Sequence, residues 1–265
     1  MSSSRSRKKR RAKKDLRKII KALRNLLLIT SGVLALYYFT QSPFFALQEI
    51  EVKGNKQLPQ DEIVQKSGLS LGINYFDIDT GLVAKRLSSI PVIASVEVNK
   101  NLPNRMEIVV KEREPLALYC SQEGFAVIDG QGYCIEKNVV FNDYDLPIIT
   151  GLSPDILQPG EKVSNKECLQ SVLAVLGEDV QQLISEIDLA QENNLIAYTR
   201  QGIPVFLGAP DQLSEKIEMA VSYLGLLGTV EGIEYLDIRS LNAPAVKCEG
   251  KNLEKIENSI STAEN

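Results

Sequence analysis

Few side chains in this sequence are suited to catalysis. The chain has no histidine, which removes the most common general base and the Ser-His and Cys-His nucleophile arrangements. Two carboxylates, Asp129 and Asp237, remain as candidate acids or bases. Asp129 begins an Asp-Gly-Gln-Gly segment, in which an aspartate more often accepts hydrogen bonds from its own turn. The sequence also lacks a convincing S-x-x-K motif and a glycine-rich phosphate loop, and we predict that the protein is not an enzyme.

The four cysteines, Cys120, Cys134, Cys168 and Cys248, are irregularly spaced and include no C-x-x-C pair. This pattern does not indicate a zinc or redox site, and we predict no metal and no cofactor. Cys120 and Cys134 could form a disulfide if strands brought them together, although small buried thiols are the more common arrangement.

The longest apolar segment runs from Asn25 to Gln48 and contains no charged residue. At about 1.5 Å of rise per residue, roughly 20 helical residues cross a hydrocarbon core of about 30 Å. The sequence therefore predicts a single transmembrane helix at residues 25–45. A cleaved signal peptide and a buried globular helix are the alternatives. The end of the segment, Ala35 to Phe39, is rich in aromatic residues and lacks a small-residue cleavage pattern, which favours an uncleaved anchor.

The charges on the two sides of this segment are strongly asymmetric. Residues 1–24 contain twelve lysines and arginines and a single acid, Asp15, whereas acidic residues predominate after the segment. Basic residues remain on the cytoplasmic side, so we predict a basic cytoplasmic tail at residues 1–24 and extracytoplasmic domains after the helix. We expect the tail to contact membrane lipid and not nucleic acid, because it lacks aromatic residues and a folded platform.

Residues 46–114 predict a small domain with the order strand, helix, helix, strand, strand. In the first strand, Leu47–Val52, three residues are apolar and Glu49 and Glu51 are charged, which is typical of a half-buried strand. The first helix starts at Pro59, and the second is capped by Asp79 or Thr80. Residues 92–98 and 105–111 then alternate as two further strands.

Residues 115–248 predict a second, β-rich α+β domain. A meander of three strands around Asp129–Gly132 comes first. Helices are predicted at Asn165–Glu178 and Pro210–Gly228, and the apolar stripe of the second is typical of packing on a sheet. The predicted later strands are Ile184–Leu189, Leu195–Thr199, Ile203–Leu207 and the pair within Ile233–Lys247. Residues 249–265 are polar, and we expect a disordered tail.

Four segments of the first domain carry a resemblance to a known family: SPFFALQEIEVKGN, GINYFDID, IPVIASVEV and LPNRMEIVVKEREP. They resemble the POTRA domain that follows the membrane anchor in the FtsQ/DivIB cell division proteins, and the likeness extends more weakly to about Lys247. The resemblance implies a non-catalytic, single-pass protein of the cell membrane that acts as a scaffold at the division septum. It implies binding to FtsB/DivIC and FtsL, regulation of septal peptidoglycan synthesis, and contacts of the POTRA domain with other divisome components.

The family also implies where the partner binds, because a strand of FtsB/DivIC adds to an open sheet edge near the end of the second domain. By position, Arg239 is the candidate for pairing with a partner carboxylate. The other candidate contact residues are Ser240, Leu241, Asn242, Ala243, Ala245 and Val246.

Three alternatives remain open on the sequence. Pro244 removes a hydrogen-bond donor and could make this segment a self-contained edge strand. The POTRA resemblance also fits a polypeptide transport or chaperone module. Asp129 and Asp237 leave a membrane-tethered cell-wall hydrolase as the least favoured reading.

Overall fold

The computed structural model describes residues 3–152, 156–163, 167–227 and 232–248. The chain divides into two compact units: residues 1–87 with 96–110, and residues 88–95 with 111–265. The tail predicted to be disordered, residues 249–265, lies outside the described residues.

A long helix, α1 (Ser3–Thr40), begins the first unit, and the basic segment continues into the apolar one without a break. Its Lys18–Thr40 portion is long and apolar enough to cross a membrane, and none of it is buried in the protein. We predicted that the apolar helix would extend to residue 45, but it ends at Thr40. Pro43 has no N–H to continue the helical hydrogen bonds, and a separate 3-10 turn, Pro43–Phe45, follows.

The rest of the first unit has the predicted order of elements. Strand β1 (Glu49–Lys53) is followed by α2 (Gln60–Ser67) and α3 (Thr80–Ser88), then by β2 (Ile93–Asn101) and β3 (Arg105–Glu112). The three strands form one sheet in the order β1-β3-β2, in which β1 runs parallel to β3. The mixed α+β character that the sequence predicted is therefore confirmed.

The second unit contains one nine-stranded sheet, with the spatial order β12-β11-β10-β9-β8-β7-β4-β5-β6. Its strands are β4 (Pro115–Ser121), β5 (Gly124–Asp129), β6 (Cys134–Val139), β7 (Ile148–Thr150), β8 (Ile184–Asp188), β9 (Leu195–Thr199), β10 (Pro204–Gly208), β11 (Ile233–Asp237) and β12 (Ala245–Cys248). Its helices are α4 (Glu167–Val175), α5 (Glu178–Leu183) and α6 (Leu213–Leu227).

The helices and one face of the sheet share a hydrophobic core. In α6 the predicted stripe is buried there, through Leu213, Ile217 and Ala220. The single helix predicted at Asn165–Glu178 is instead two helices, which are separated at Leu176 and Gly177. Gly177 N–H donates to Val175 O (2.9 Å), and Gly177 is the N-cap of α5.

Candidate partner-binding edge

Strand β12 lies at one end of the nine-stranded sheet. It pairs antiparallel with β11, and Leu236 lies opposite Val246. On its other side β11 pairs parallel with β10. Within the described ranges no further strand pairs with β12, so the outer row of N–H and C=O groups of this short strand has no strand partner there.

The connection between β11 and β12 is held close to the sheet. Ile238 is fully buried and its N–H donates to Phe206 O (2.9 Å), which extends the contact between β10 and β11. Further on, Ala243 N–H donates to Ser240 O (3.3 Å) and closes a turn. This turn returns the chain to the start of β12.

The seven predicted contact residues fall into two groups. Leu241 and Val246 are half-buried and pack against the core, so they also hold β12 on the sheet. The other five are exposed: Arg239, Ser240, Asn242, Ala243 and Ala245. Ala245 begins β12, and the other four precede it in the connection from β11.

Arg239 is bound by an aspartate of its own chain. Its Nε donates to both carboxylate oxygens of Asp237, at 2.9 and 3.0 Å, and its Nη2 donates to Oδ2 at 2.5 Å. The backbone N–H of Arg239 also donates to Asp237 Oδ1 (3.1 Å). These bonds, opposed by partial burial, lower the pKa of Asp237 below its ordinary value. The Arg239 side chain is still 59% exposed, so the guanidinium is oriented by Asp237 and accessible from outside.

Two residues of β10 shape the space around Arg239. The guanidinium carbon lies 5.8 Å from the centre of the Phe206 ring, within the range of a cation–π contact. Gly208 has a φ of +72°, and a Cβ atom there would lie 3.0 Å from Arg239 Cγ. Glycine therefore allows the arginine stem to lie close to β10.

Two further side chains near β12 were not among the predicted site residues. Tyr235 contacts Phe206 edge to face, with ring centres 5.5 Å apart. Lys247 lies opposite Tyr235, and its Nζ is 2.7 Å from Glu234 Oε2 and 5.7 Å from the Tyr235 ring centre. The hydrogen bond from Lys247 to Glu234 raises the lysine pKa.

The sequence contained a signal for only part of this cluster. The alternation in β11 places Tyr235, Asp237 and Arg239 on one face. Phe206 joins them through the parallel pairing of β10 and β11, in which it lies opposite Asp237. The connection between these strands contains α6, so local spacing could not show that pairing.

The other candidate carboxylate, Asp129, is buried and organises a tight turn. Its Oδ1 accepts hydrogen bonds from the backbone N–H groups of Gln131 and Tyr133, both at 2.9 Å. Arg113 Nη1 donates to its Oδ2 at 2.5 Å, and both side chains of this ion pair are nearly buried. These contacts of Asp129 serve the turn and the ion pair.

The cysteines are free thiols, of which Cys134 and Cys168 are buried, Cys248 is half-buried and Cys120 is exposed. Burial raises the pKa of Cys134 to about 11, so this thiol is protonated at neutral pH. In the part of the chain that the structure describes, no group of three or more His, Cys, Asp or Glu side chains could hold a metal ion.

Two family models match successive parts of the chain. Residues 45–113 match the POTRA domain, FtsQ-type. Residues 117–239 match the C-terminal domain of the cell division protein FtsQ/DivIB. The second match ends at Arg239 and includes β11.

Similar proteins occur in several bacteria. The cell division protein DivIB of Clostridium acetobutylicum is 26% identical over 200 residues, which cover 74% of this chain and 80% of that protein. DivIB of Clostridium botulinum is 28% identical, with 69% and 73% covered. FtsQ of Geotalea daltonii is 27% identical, with 74% and 73% covered.

One solved structure, the major extracytoplasmic domain of the trans isomer of DivIB from Geobacillus stearothermophilus, shares 16% identity. The match covers 46% of this chain and 99% of that one, with a TM-score of 0.31, a distant likeness. The family assignment depends instead on the two domain matches, which occur in order, and on relatives that match over most of their own length. The chain therefore belongs to the FtsQ/DivIB family of cell division proteins.

Proposed function

We propose that this protein is a non-catalytic scaffold of the division septum that binds an extended segment of a partner along the outer edge of β12. The partner is the extracytoplasmic part of an FtsB/DivIC protein, which binds together with FtsL. Through this complex the protein helps to regulate septal peptidoglycan synthesis. The observation that carries the proposal is the outer edge of β12, which pairs with no strand among the described residues.

An open edge suits this role because its backbone groups can form main-chain hydrogen bonds with an added strand. The core side of β12 is held by Val246, whereas Ala245 and Lys247 are exposed. Strand β12 therefore has one face packed on the core and one face exposed to solvent, and its outer backbone edge pairs with no strand among the described residues. A partner strand would gain hydrogen bonds without the sheet having to rearrange.

Specificity is proposed to come from Arg239. Asp237 already orients the guanidinium, so a partner carboxylate would meet a cation whose position is largely set. The carboxylate would share the arginine with Asp237. Lys247, which is paired with Glu234 and lies beside Tyr235, is a second cation near the edge.

The Lys18–Thr40 segment is proposed to anchor the protein in the cell membrane, with the basic tail in the cytoplasm and both folded units outside. An anchored protein and an anchored partner share one membrane plane. This confinement raises their effective concentration, so the pairwise interface does not need to be tight.

The test is affinity capture of the intact protein from gently solubilised membranes, comparing wild type with Arg239→Glu and identifying the captured proteins by mass spectrometry. We expect FtsB/DivIC-like and FtsL-like single-span proteins with the wild type and a several-fold smaller yield with the variant. The matched control is Lys137→Glu, which reverses a charge in the exposed Lys137–Glu123 pair near the opposite edge of the sheet.

Equal recovery with Arg239→Glu and wild type would remove Arg239 from the site. Recovery of export-machinery components in place of division proteins would favour the transport or chaperone function. Turnover of peptidoglycan by the purified protein, abolished by Asp237→Asn, would favour a hydrolase.

A further inference from the structure

The end of the POTRA unit nearest the membrane helix carries exposed apolar side chains. We propose that this unit rests on the lipid surface through an apolar rim formed by Phe44, Leu71, Phe76 and Leu102. The proposal rests on the membrane anchor of the proposed function. In this proposal the rim contacts lipid, and this contact sets the distance between the unit and the bilayer.

The loop that carries Phe76 is bonded directly to the end of α1. Asn74 Nδ2 donates to the carbonyl oxygen of Thr40, the last helical residue, at 2.8 Å. The Oδ1 atom of the same side chain accepts from Phe76 N–H at 2.9 Å. Asn74 thus holds Phe76 beside the residue at which the apolar helix ends.

A series of aromatic contacts continues from the helix into this loop. The ring centres of Phe39, in the last turn of α1, and Phe45 are 5.3 Å apart. Phe45 also lies 5.0 Å from Phe76 and 5.1 Å from Phe44. Phe45 is buried at the centre of the group, and the other three rings are exposed to solvent by about half. Exposed phenylalanine side chains of a membrane-bound surface can enter the boundary between the lipid headgroups and the acyl chains.

Leu71 and Leu102 belong to the same end of the unit. Gly72 N–H donates to Leu47 O, and Leu47 N–H donates to Ile73 O, both at 2.8 Å, so the loop after Leu71 lies beside the start of β1. The connection from β2 to β3 includes Leu102 and reaches the same place, where Gln48 N–H donates to Asn104 O (2.9 Å).

The four rim side chains are apolar and yet largely exposed. Phe44 is 58% exposed, Leu71 64%, Phe76 49% and Leu102 67%. Between residues 46 and 110 the only other large apolar side chain exposed to this degree is Leu82, in the first turn of α3. Three separate segments therefore present apolar groups at one end of the unit, and that end adjoins the proposed membrane helix.

Two basic side chains lie near the rim. Arg105 Nε lies 3.0 Å from Glu49 Oε2, which pairs the charges at the starts of β3 and β1. Lys100 donates to Tyr75 O (3.1 Å), so a basic group lies close to the loop. Basic groups are favourable beside anionic headgroups.

The chain contains no tryptophan, so one introduced tryptophan reports its own position. Five single variants of the full-length protein would be reconstituted in phosphatidylcholine/phosphatidylglycerol vesicles with or without brominated phosphatidylcholine, which quenches tryptophan fluorescence. Leu71→Trp, Phe76→Trp and Leu102→Trp probe the rim. Gln57→Trp is the exposed control beyond the far end of β1, and Ile29→Trp lies within the apolar helix.

We expect the three rim variants to lose much of their emission, and bromine near the glycerol end of the acyl chains to quench them more than bromine near the chain ends. The order should reverse for Ile29→Trp, and Gln57→Trp should keep its emission. An introduced indole ring has some affinity for membranes of its own. Because Gln57→Trp carries the same ring, its quenching measures that contribution. Because three rim positions are probed, the test still gives a result if one of the variants fails to fold.

If Ile29→Trp is quenched but the rim variants stay as bright as Gln57→Trp, the rim proposal is overturned and the anchor stands. Loss of quenching at Ile29→Trp would overturn the anchor and the rim together. Quenching at the rim positions and at Ile29, with Gln57 unaffected, would establish the contact with lipid.

Discussion

The two edges of the nine-stranded sheet differ in whether another described segment of the chain pairs with them. At the β6 edge, Cys134 N–H donates to Glu161 O (2.8 Å) and Gly160 N–H donates to Cys134 O (2.7 Å). Tyr133 and Lys162 form an isolated antiparallel bridge beside them. At the β12 edge, the described ranges contain no segment that pairs with the outer side of the strand.

This difference supports the proposal that an added strand binds at β12. Unpaired sheet edges promote unwanted association, and proteins usually cover, shorten or interrupt them. This chain covers the start of β6 with residues 160–163, whereas β12 is only four residues long and follows Pro244. A short edge limits nonspecific pairing and still offers main-chain hydrogen bonds to a partner with the right side chains.

The largest expected effect concerns the turn that leads into the covered edge. Asp129→Asn removes the charge that pairs with Arg113, and both side chains are about nine-tenths buried. Breaking a buried ion pair from one side costs about 3–5 kcal/mol of unfolding free energy. Denaturant unfolding of the full chain in detergent would measure this loss.

The control for this substitution is Asp145→Asn. Asp145 pairs with Arg200, but its side chain is 87% exposed. An exposed pair contributes at most about 1 kcal/mol. Equal losses for the two substitutions would show that the Asp129 pair is not the element that holds the turn.

The next effect concerns the backbone of the open edge. Successive N–H groups along a strand point to opposite sides, so Ala245→Pro and Val246→Pro remove one inward and one outward donor of β12. The outward variant should weaken binding of the FtsB/DivIC-like partner roughly tenfold with little change in stability. The inward variant should lower stability. Titration calorimetry and thermal unfolding of both variants would separate these effects.

Retention of full affinity by both proline variants would contradict strand addition at β12. One of the two substitutions must remove an N–H donor from the outer side of β12. Strand addition at that side therefore could not leave both affinities unchanged.

A smaller effect is expected at Gly208, beside Arg239. Gly208→Ala places a Cβ atom 3.0 Å from Arg239 Cγ and also requires a positive φ, which costs roughly 1–2 kcal/mol. Gly202→Ala is a matched control, because Gly202 has a φ of +81° and no atom within 4 Å of the added Cβ. We expect similar losses of stability from the backbone, but a loss of partner affinity for Gly208→Ala alone. Equal affinities would show that the position of Arg239 is unimportant.

The smallest effect concerns pH. The pKa of Asp237 is lowered mainly by hydrogen bonds from Arg239, so this carboxylate stabilises the folded protein at neutral pH. The contribution is complete above the unfolded-state pKa of about 3.9 and is lost as the pH falls through the lower folded-state value. Because Arg239 is largely exposed, we expect less than about 1 kcal/mol.

The measurement is the unfolding free energy of wild type and Asp237→Asn from neutral pH to strongly acidic pH. The difference between them should shrink only at acidic pH. A constant difference would show that the Asp237–Arg239 bonds do not stabilise the fold.

Local sequence patterns were sufficient for much of the fold. The POTRA order, the strands at Ile184, Leu195 and Ile233, and the core stripe of α6 follow from side-chain periodicity and turn residues. The strand β7 and the cover over β6 were missed. Each depends on pairing between segments distant in sequence, as when β7 joins β4 and β8 in parallel.

The candidate site shows the same limit. Alternation along β11 placed Asp237 and Arg239 on one face, but it did not show that they bind each other or that Phe206 lies beside them. The inward packing of Leu241 and Val246 depends on how the connection folds back over the core. Exposure of a predicted contact residue could not be derived from spacing alone.

The most direct test is amide hydrogen exchange of the full-length protein in lipid nanodiscs, with and without its FtsB/DivIC-like partner. We predict that binding slows exchange in β12, at Ala245–Cys248, and leaves exchange in β6, at Cys134–Val139, unchanged. Partner binding without added protection in β12 would contradict the proposal that the open edge is the binding site.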